Sequence, residues 1–295
     1  MTALRRFSDR RLSVCSLLTG LMCLVGNSLT IANDRPSAKR LGGDFVDHMI
    51  PVDGGELCCA RREGTGPTVM LIPGTFSDSR TFGRVIPHLT QSFNLLIVEN
   101  RGLGKSWPPP EDGSIEQCGR DALLIARQMK ASSFYIGGHS LGGMISIEVA
   151  RIAPEKLRGV ISIEGWTNWH AARDAFNNDM KSTLTDEQLR EKAAYRKDVL
   201  QNWSESQIKA FGQIWKKWDG ESVLQTTHLP VLELYGDRGR APASLAQLRI
   251  PKRRSIELRW FKNASHSLQD ERPEQIAQAI NQFVRQCEAA RTEKQ

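Results

Sequence analysis

The sequence predicts an α/β fold with a mainly parallel sheet covered by helices. Three observations lead there. From about residue 45, short strand-like runs alternate with helical ones; several of those runs are continuously apolar, as expected for strands buried on both faces; and "FYIGGHSLGGMISIEVA" (134–150) passes from strand-like to helix-like pattern through one serine among four glycines. At 295 residues the chain can bury a large core, and 40% hydrophobic with 25% charged residues describes a globular protein.

The N-terminus stands apart. "MTALRRFSDRRLSV" is basic, "VCSLLTGLMCLVG" is an apolar run short for a bilayer span, and Thr30 and Ala32 supply small residues at a cleavage position. Residues 1–32 therefore read as a secretory signal peptide and the protein as exported, without stable membrane insertion after cleavage; an uncleaved anchor is the alternative. Residues 1–32 carry four arginines and Asp9, so their loss lowers the net charge from +7 to +4. The remaining excess is dispersed, with "PKRR" (251–254) the one cluster, which argues against a nucleic-acid partner. Cys58, Cys59, Cys118 and Cys287 have no metal-site spacing and read mostly as buried free thiols. No metal or cofactor is expected.

Taken in order, "DHMIPVDGGELCCARR" is a hairpin turning at Asp53-Gly54-Gly55. "TVMLIPG" and "NLLIVEN" are buried strands, with a crossover helix expected over "SRTFGRVIPHL". "SIEQCGRDALLIARQM" is helical, with Leu123, Ile125 and Met129 as its apolar positions, and "SFYIGG" and "GVISIEG" are strands around the helix after Ser140. Residues 166–228 lack strand pattern and hold five of the seven tryptophans, so they read as a helical insertion, a cap, between core segments 45–165 and 229–290 of one domain (33–295). "PVLELYG" and "SIELRWF" resume the sheet. "PEQIAQAINQFV" closes it as an amphipathic helix with Ile276, Ile280 and Phe283 on one stripe and Pro273 at its start.

Gly138-His139-Ser140-Leu141-Gly142 is G-x-S-x-G between a strand and a helix, the setting of a nucleophile elbow. A serine on so sharp a turn is strained, and side chains two residues before and after it would collide, which glycine avoids. The turn also aims a helix N-terminus at the serine, so the Leu141 N–H can bind a developing oxyanion. Serine needs an imidazole to take its proton. His266, on a loop between the last strand and last helix, is the candidate. His48, His88, His139, His170 and His228 lie in strand, helix, elbow or insertion contexts.

With the motifs "GHSLG", "LIPGTF", "VENRGLGKS" and "NASHSLQDERPEQIAQAINQF", residues 45–285 resemble the α/β-hydrolase family of the lipase, esterase and haloperoxidase-like kind. Pro73 stands where that family has histidine and Glu99 where it has aspartate. The resemblance implies an eight-stranded, mostly parallel sheet with a helical cap, and a backbone N–H of Thr75, with Phe76 nearby, as second oxyanion donor. It places the acid of a triad after "PVLELYG" or one strand earlier, so Asp237 and Glu164 are alternatives, with Glu164 favoured. Asp270 is a weaker candidate, better placed for a role at a helix N-terminus. Trp166 and Trp169 are expected to line the pocket with Phe76 and His139, while Trp203, Trp215 and Trp218 form the cap's own core.

The implied activity is hydrolysis of a carboxylic ester on a small molecule with an apolar part, through an acyl-Ser140 intermediate. The fold also runs lactone, amide and carbon–carbon hydrolysis, and a non-catalytic ligand-binding homologue is the rival.

Overall fold

A computed structural model describes residues 41–42, 44–110, 113–176 and 182–293. The expected signal peptide lies outside the described residues. Eight strands form one sheet: β1 (Val46–Val52), β2 (Gly55–Arg62), β3 (Thr68–Ile72), β4 (Asn94–Val98), β5 (Phe134–His139), β6 (Leu157–Ile163), β7 (Val231–Gly236) and β8 (Ile256–Phe261), in the order β1-β2-β4-β3-β5-β6-β7-β8. β2 is antiparallel to both β1 and β4, and the other pairings are parallel. β1 and β2 can join by a two-residue turn because they are antiparallel: Val52 faces Gly55, and Asp53-Gly54 turns with Gly54 at φ +74°.

β3 lies between β4 and β5, so the chain leaves it in one direction along the sheet and returns on the other side. Such a reversal opens a crevice at the carboxyl ends of parallel strands. The loops after β3, β5, β6, β7 and β8 all emerge at that edge, and every candidate catalytic residue lies on one of them.

α1 (Ile115–Gln128) starts where the Ser114 hydroxyl accepts the Gln117 N–H (3.1 Å). Its buried apolar side chains are Ile115, Cys118, Ala122, Ile125 and Ala126, whereas Leu123 and Met129 are half-buried. α2 (Leu141–Ile152) follows the elbow and packs against α1, β5 and β6. The crossover helix expected between β3 and β4 is instead two single 3₁₀ turns, Ser79–Phe82 and Ile86–His88. Gly83 ends the first and Pro87 begins the second, so no continuous α-helical ladder can run through them.

Between β6 and β7 come α3 (Trp169–Phe176), α4 (Asp186–Val199), α5 (Glu205–Phe211) and α6 (Glu221–Thr226), followed after β7 by α7 (Leu245–Leu248) and after β8 by α8 (Leu268–Glu271) and α9 (Pro273–Thr292). Thr185 and Ser204 form capping boxes with Gln188 and Gln207 at the starts of α4 and α5. On α9, Ile276, Ile280 and Phe283 are buried, and each contributes roughly 1.5–3 kcal/mol by leaving water.

The tryptophans of the insertion depart from expectation. The Trp203 indole N–H donates to the Gly102 carbonyl (2.6 Å), and Trp218 donates to Glu148 on α2 (2.9 Å). Both therefore tie the insertion to the core, because a buried indole needs an acceptor and these are supplied outside the insertion. Cys58, Cys59 and Cys118 are buried and Cys287 is partly buried; burial pushes Cys118 up to about 12.

Candidate active site

Ser140 sits between β5 and α2 at φ 54°, ψ −116°, a left-handed conformation that a side chain rarely adopts. Its own N–H donates to Ile163 O on the neighbouring strand (2.8 Å), which fixes the turn to the sheet. A Cβ at Gly138 or Gly142 would run into the Ile72 carbonyl at the end of β3. These two glycines are thus required by close backbone approach.

The Ser140 hydroxyl lies 3.0 Å from His266 Nε2. The His266 loop is held by Glu271, whose carboxylate accepts the Ser265 N–H (2.7 Å) and hydroxyl (2.6 Å). On the other side of the ring, Nδ1 lies 3.3 Å from Glu164 Oε2, so the acceptor-only carboxylate places the ring proton on Nδ1 and the lone pair on Nε2. Glu164 directly follows β6, at φ 55° and fully buried.

A guanidinium meets that carboxylate from another side. Arg238 grips it bidentately, Nη1 to Oε1 at 2.8 Å and Nη2 to Oε2 at 2.6 Å, and the Gly236 N–H adds a bond to Oε1 (2.6 Å). The Arg238 side chain is buried and stacks on Phe176 at 4.1 Å. Burial by itself would raise the Glu164 carboxyl, but the Arg238 bonds, then those of His266, outweigh it and hold the group below the usual range. Four of the seven non-glycine residues with positive φ among the described residues belong to this cluster: Phe76, Ser140, Glu164 and Arg238. Backbone strain of this kind concentrates where side-chain direction matters for function.

Asp237 points elsewhere. Its Oδ1 accepts the N–H groups of Gly239 (2.8 Å) and Asn263 (2.7 Å), holding two loops together. Asp270 pairs with Lys192 (3.0 Å) on α4 and lies on the four-residue α8, not at the start of the last helix.

His139 Nε2 is 2.7 Å from the His266 carbonyl. Burial, and then the charge of His266, hold the His139 imidazole well below its ordinary value, so the ring is neutral and donates from Nε2. The N–H groups of Thr75 and Leu141 find no acceptor among the described residues. Both residues border a cavity of about 790 Å³ that also contains Ser140 and His266.

Phe76, His139, Trp166 and Trp169 line this cavity. So does Trp215, expected in the cap's core: its ring lies 5.3 Å from Trp166 and 5.0 Å from Trp169, while Trp166 lies 5.0 Å from the His266 ring. Aromatic rings in contact form one continuous wall, which periodicity cannot reveal. The cavity also has a polar side absent from the sequence reading, where α4 presents Gln188, Lys192, Tyr195 and Arg196 at helical spacing. Arg238 was missed as well. Its signal was an arginine two residues past Gly236 in "GDRGRAP", next to the loop that carries a candidate acid.

Comparison with known proteins agrees with this architecture. A family model described as the alpha/beta hydrolase fold matches residues 67–198. The candidate carbamate hydrolase RutD of Pseudomonas syringae pv. syringae is 28% identical over 117 residues, 39% of this chain and 45% of that protein. N-formylmaleamate deformylase of Pseudomonas putida is 25% identical over 232 residues, 70% of this chain and 85% of that protein. A solved bacterial membrane phospholipase A superposes with a TM-score of 0.69 at 20% identity, covering 85% of this chain and 90% of that one. The chain matches less than half the length of the carbamate-hydrolase relatives. By sheet order, family model and superposition, the chain has the α/β-hydrolase fold.

Proposed function

We propose that the protein is a serine hydrolase that transfers the acyl group of a small-molecule ester to Ser140 and then to water. The observation that carries the reading is the line from Ser140 Oγ to His266 Nε2 (3.0 Å) and from His266 Nδ1 to Glu164 (3.3 Å), with the serine held at positive φ. His266 takes the hydroxyl proton as Oγ attacks the acyl carbon, and returns it to the leaving group as the tetrahedral intermediate collapses. Glu164 keeps Nδ1 protonated and stabilises the imidazolium that forms. The carbonyl oxygen, now anionic, takes hydrogen bonds from the Thr75 and Leu141 N–H groups; one such donor is worth roughly 10²–10³ in rate. A second cycle, with water as nucleophile, frees Ser140.

The tryptophan wall favours a substrate with an apolar part, and the helical insertion acts as the cap over it. Relatives named for carbamate and N-formyl amide substrates extend the candidate bond from esters to amides. Export through residues 1–32 belongs to the same proposal and rests on the sequence.

The test is labelling by a serine-reactive fluorophosphonate together with hydrolysis of nitrophenyl esters and N-formyl amides. Ser140→Ala should abolish labelling and turnover. Labelling that survives the substitution refutes Ser140 as nucleophile. Saturable binding of a small ligand with no turnover of any probe would identify a ligand-binding homologue instead.

A further inference from the structure

The cavity at Ser140 is unevenly charged. Its lining contains five cationic side chains, Arg80, Arg84, Lys192, Arg196 and Lys216, against two acids, Glu191 and Asp270. Three of the cations are matched: Arg80 by Asp78 and Asp198 (2.8 Å each), Arg84 by Glu191 (3.7 Å) and Lys192 by Asp270 (3.0 Å). Arg196 and Lys216 meet no carboxylate among the described residues.

Both are held on aromatic rings of the cavity wall. Lys216 Nζ lies 4.9 Å from the Trp169 ring centroid and 5.9 Å from that of Trp215, and Arg196 Cζ lies 5.1 Å from that of Phe76. Trp215 leads through Trp166 to the imidazole, and Phe76 follows Thr75 in the oxyanion loop. Stacking on a ring positions a cation while leaving its N–H donors free for an anion. The two unmatched charges thus lie on aromatic rings in the wall of the cavity that also holds Ser140 and His266.

We propose that the natural substrate is an anionic acyl compound, with a carboxylate carried on an apolar chain and recognised by Lys216 and Arg196. This rests on the serine-hydrolase reading and adds the substrate class to it. The alkyl chain would lie along the tryptophans while the carboxylate replaces water at the cations. Because both cations are exposed to solvent, the attraction is screened by salt.

The experiment compares mono-4-nitrophenyl adipate with 4-nitrophenyl hexanoate, which share chain length and leaving group and differ in the terminal carboxylate. The wild type should favour the adipate in kcat/KM by about tenfold or more at low salt, chiefly through KM. Lys216→Gln with Arg196→Gln should bring the adipate-to-hexanoate ratio to about one, Lys216→Glu should invert it, and 0.5 M salt should lower it in the wild type alone. A wild-type ratio at or below one, or a ratio unmoved in the double glutamine variant, overturns the proposal. If neither ester is turned over, the hydrolase reading is what fails. Binding of adipate to the full chain, followed by tryptophan fluorescence, then decides the anion site separately: no saturable binding, or the same affinity in the double variant, overturns it.

Discussion

Replacing Arg238 by Met would separate the orientation of His266 from the electrostatics behind it. Arg238 makes two charge-assisted bonds to Glu164, at 2.8 and 2.6 Å, with both side chains almost wholly out of water. Methionine keeps most of the volume against Phe176 and removes the charge. Removing one partner from a buried ion pair costs about 3–5 kcal/mol of stability, because the other is left as an uncompensated charge. The same loss raises the Glu164 carboxyl: burial already pushes it up, and only Arg238 and His266 bring it below the usual range.

A carboxyl whose folded value is depressed stabilises the fold above its unfolded value and loses that contribution as pH falls through the folded one. In the variant this loss begins at higher pH, and Glu164 takes up a proton where the native protein still carries the charge. The acid limb of kcat/KM against pH, measured with a nitrophenyl ester, should therefore move to higher pH. Arg238→Lys keeps the charge without the planar fork and should recover part of the shift. A second readout is the double-mutant cycle with Glu164→Gln, in which denaturation should give a coupling of about 2 kcal/mol or more. A folded Arg238→Met protein with an unmoved acid limb, or a cycle with no coupling, would refute the reasoning.

Glu164→Gln should lower kcat by about 10³-fold or more, and Asp237→Asn should do much less because its contacts are loop N–H groups; the reverse ranking in ester kinetics would reassign the acid. Glu233, fully buried on β7, is pushed by burial from 4.5 to about 8. Its folded value is raised, so stability present below the unfolded value is lost at about 1.4 kcal/mol per pH unit as pH climbs toward 8. Glu233→Gln should flatten that slope in urea titrations at pH 5 and 8, and an unchanged slope would count against it. Gly142→Ala drives a methyl into the Ile72 carbonyl and should destabilise by about 3 kcal/mol or more, as read by thermal melting. Melting within a degree of wild type would mean that the elbow relaxes.

Much of the molecule was legible in the linear chain because local pattern encodes local structure. Alternation of apolar runs and helical stretches marked all eight strands and the last helix. Glycine spacing marked the elbow at Ser140, and chain order marked His266. The break between β3 and β4 was misread, since apolar residues in "SRTFGRVIPHL" outweighed Gly83 and Pro87 in the pattern but cannot restore the hydrogen bonds those residues interrupt. Trp215 was placed in the wrong cluster because periodicity reports a face of a helix and not what that face meets.

What only the tertiary structure shows is which of the two carboxylates lies beside His266. Glu164 and Asp237 follow adjacent, paired strands, with Ile163 in register with Leu234, so both emerge at the same edge of the sheet. Sequence can place both there, but it cannot say which carboxylate turns toward the histidine. That depends on backbone angles at the strand ends, positive at both Glu164 and Arg238, which aim a carboxylate and a guanidinium at each other and at His266 Nδ1. Those angles are held by long-range contacts that oppose local preference, and a pattern built from local preference contains no record of them.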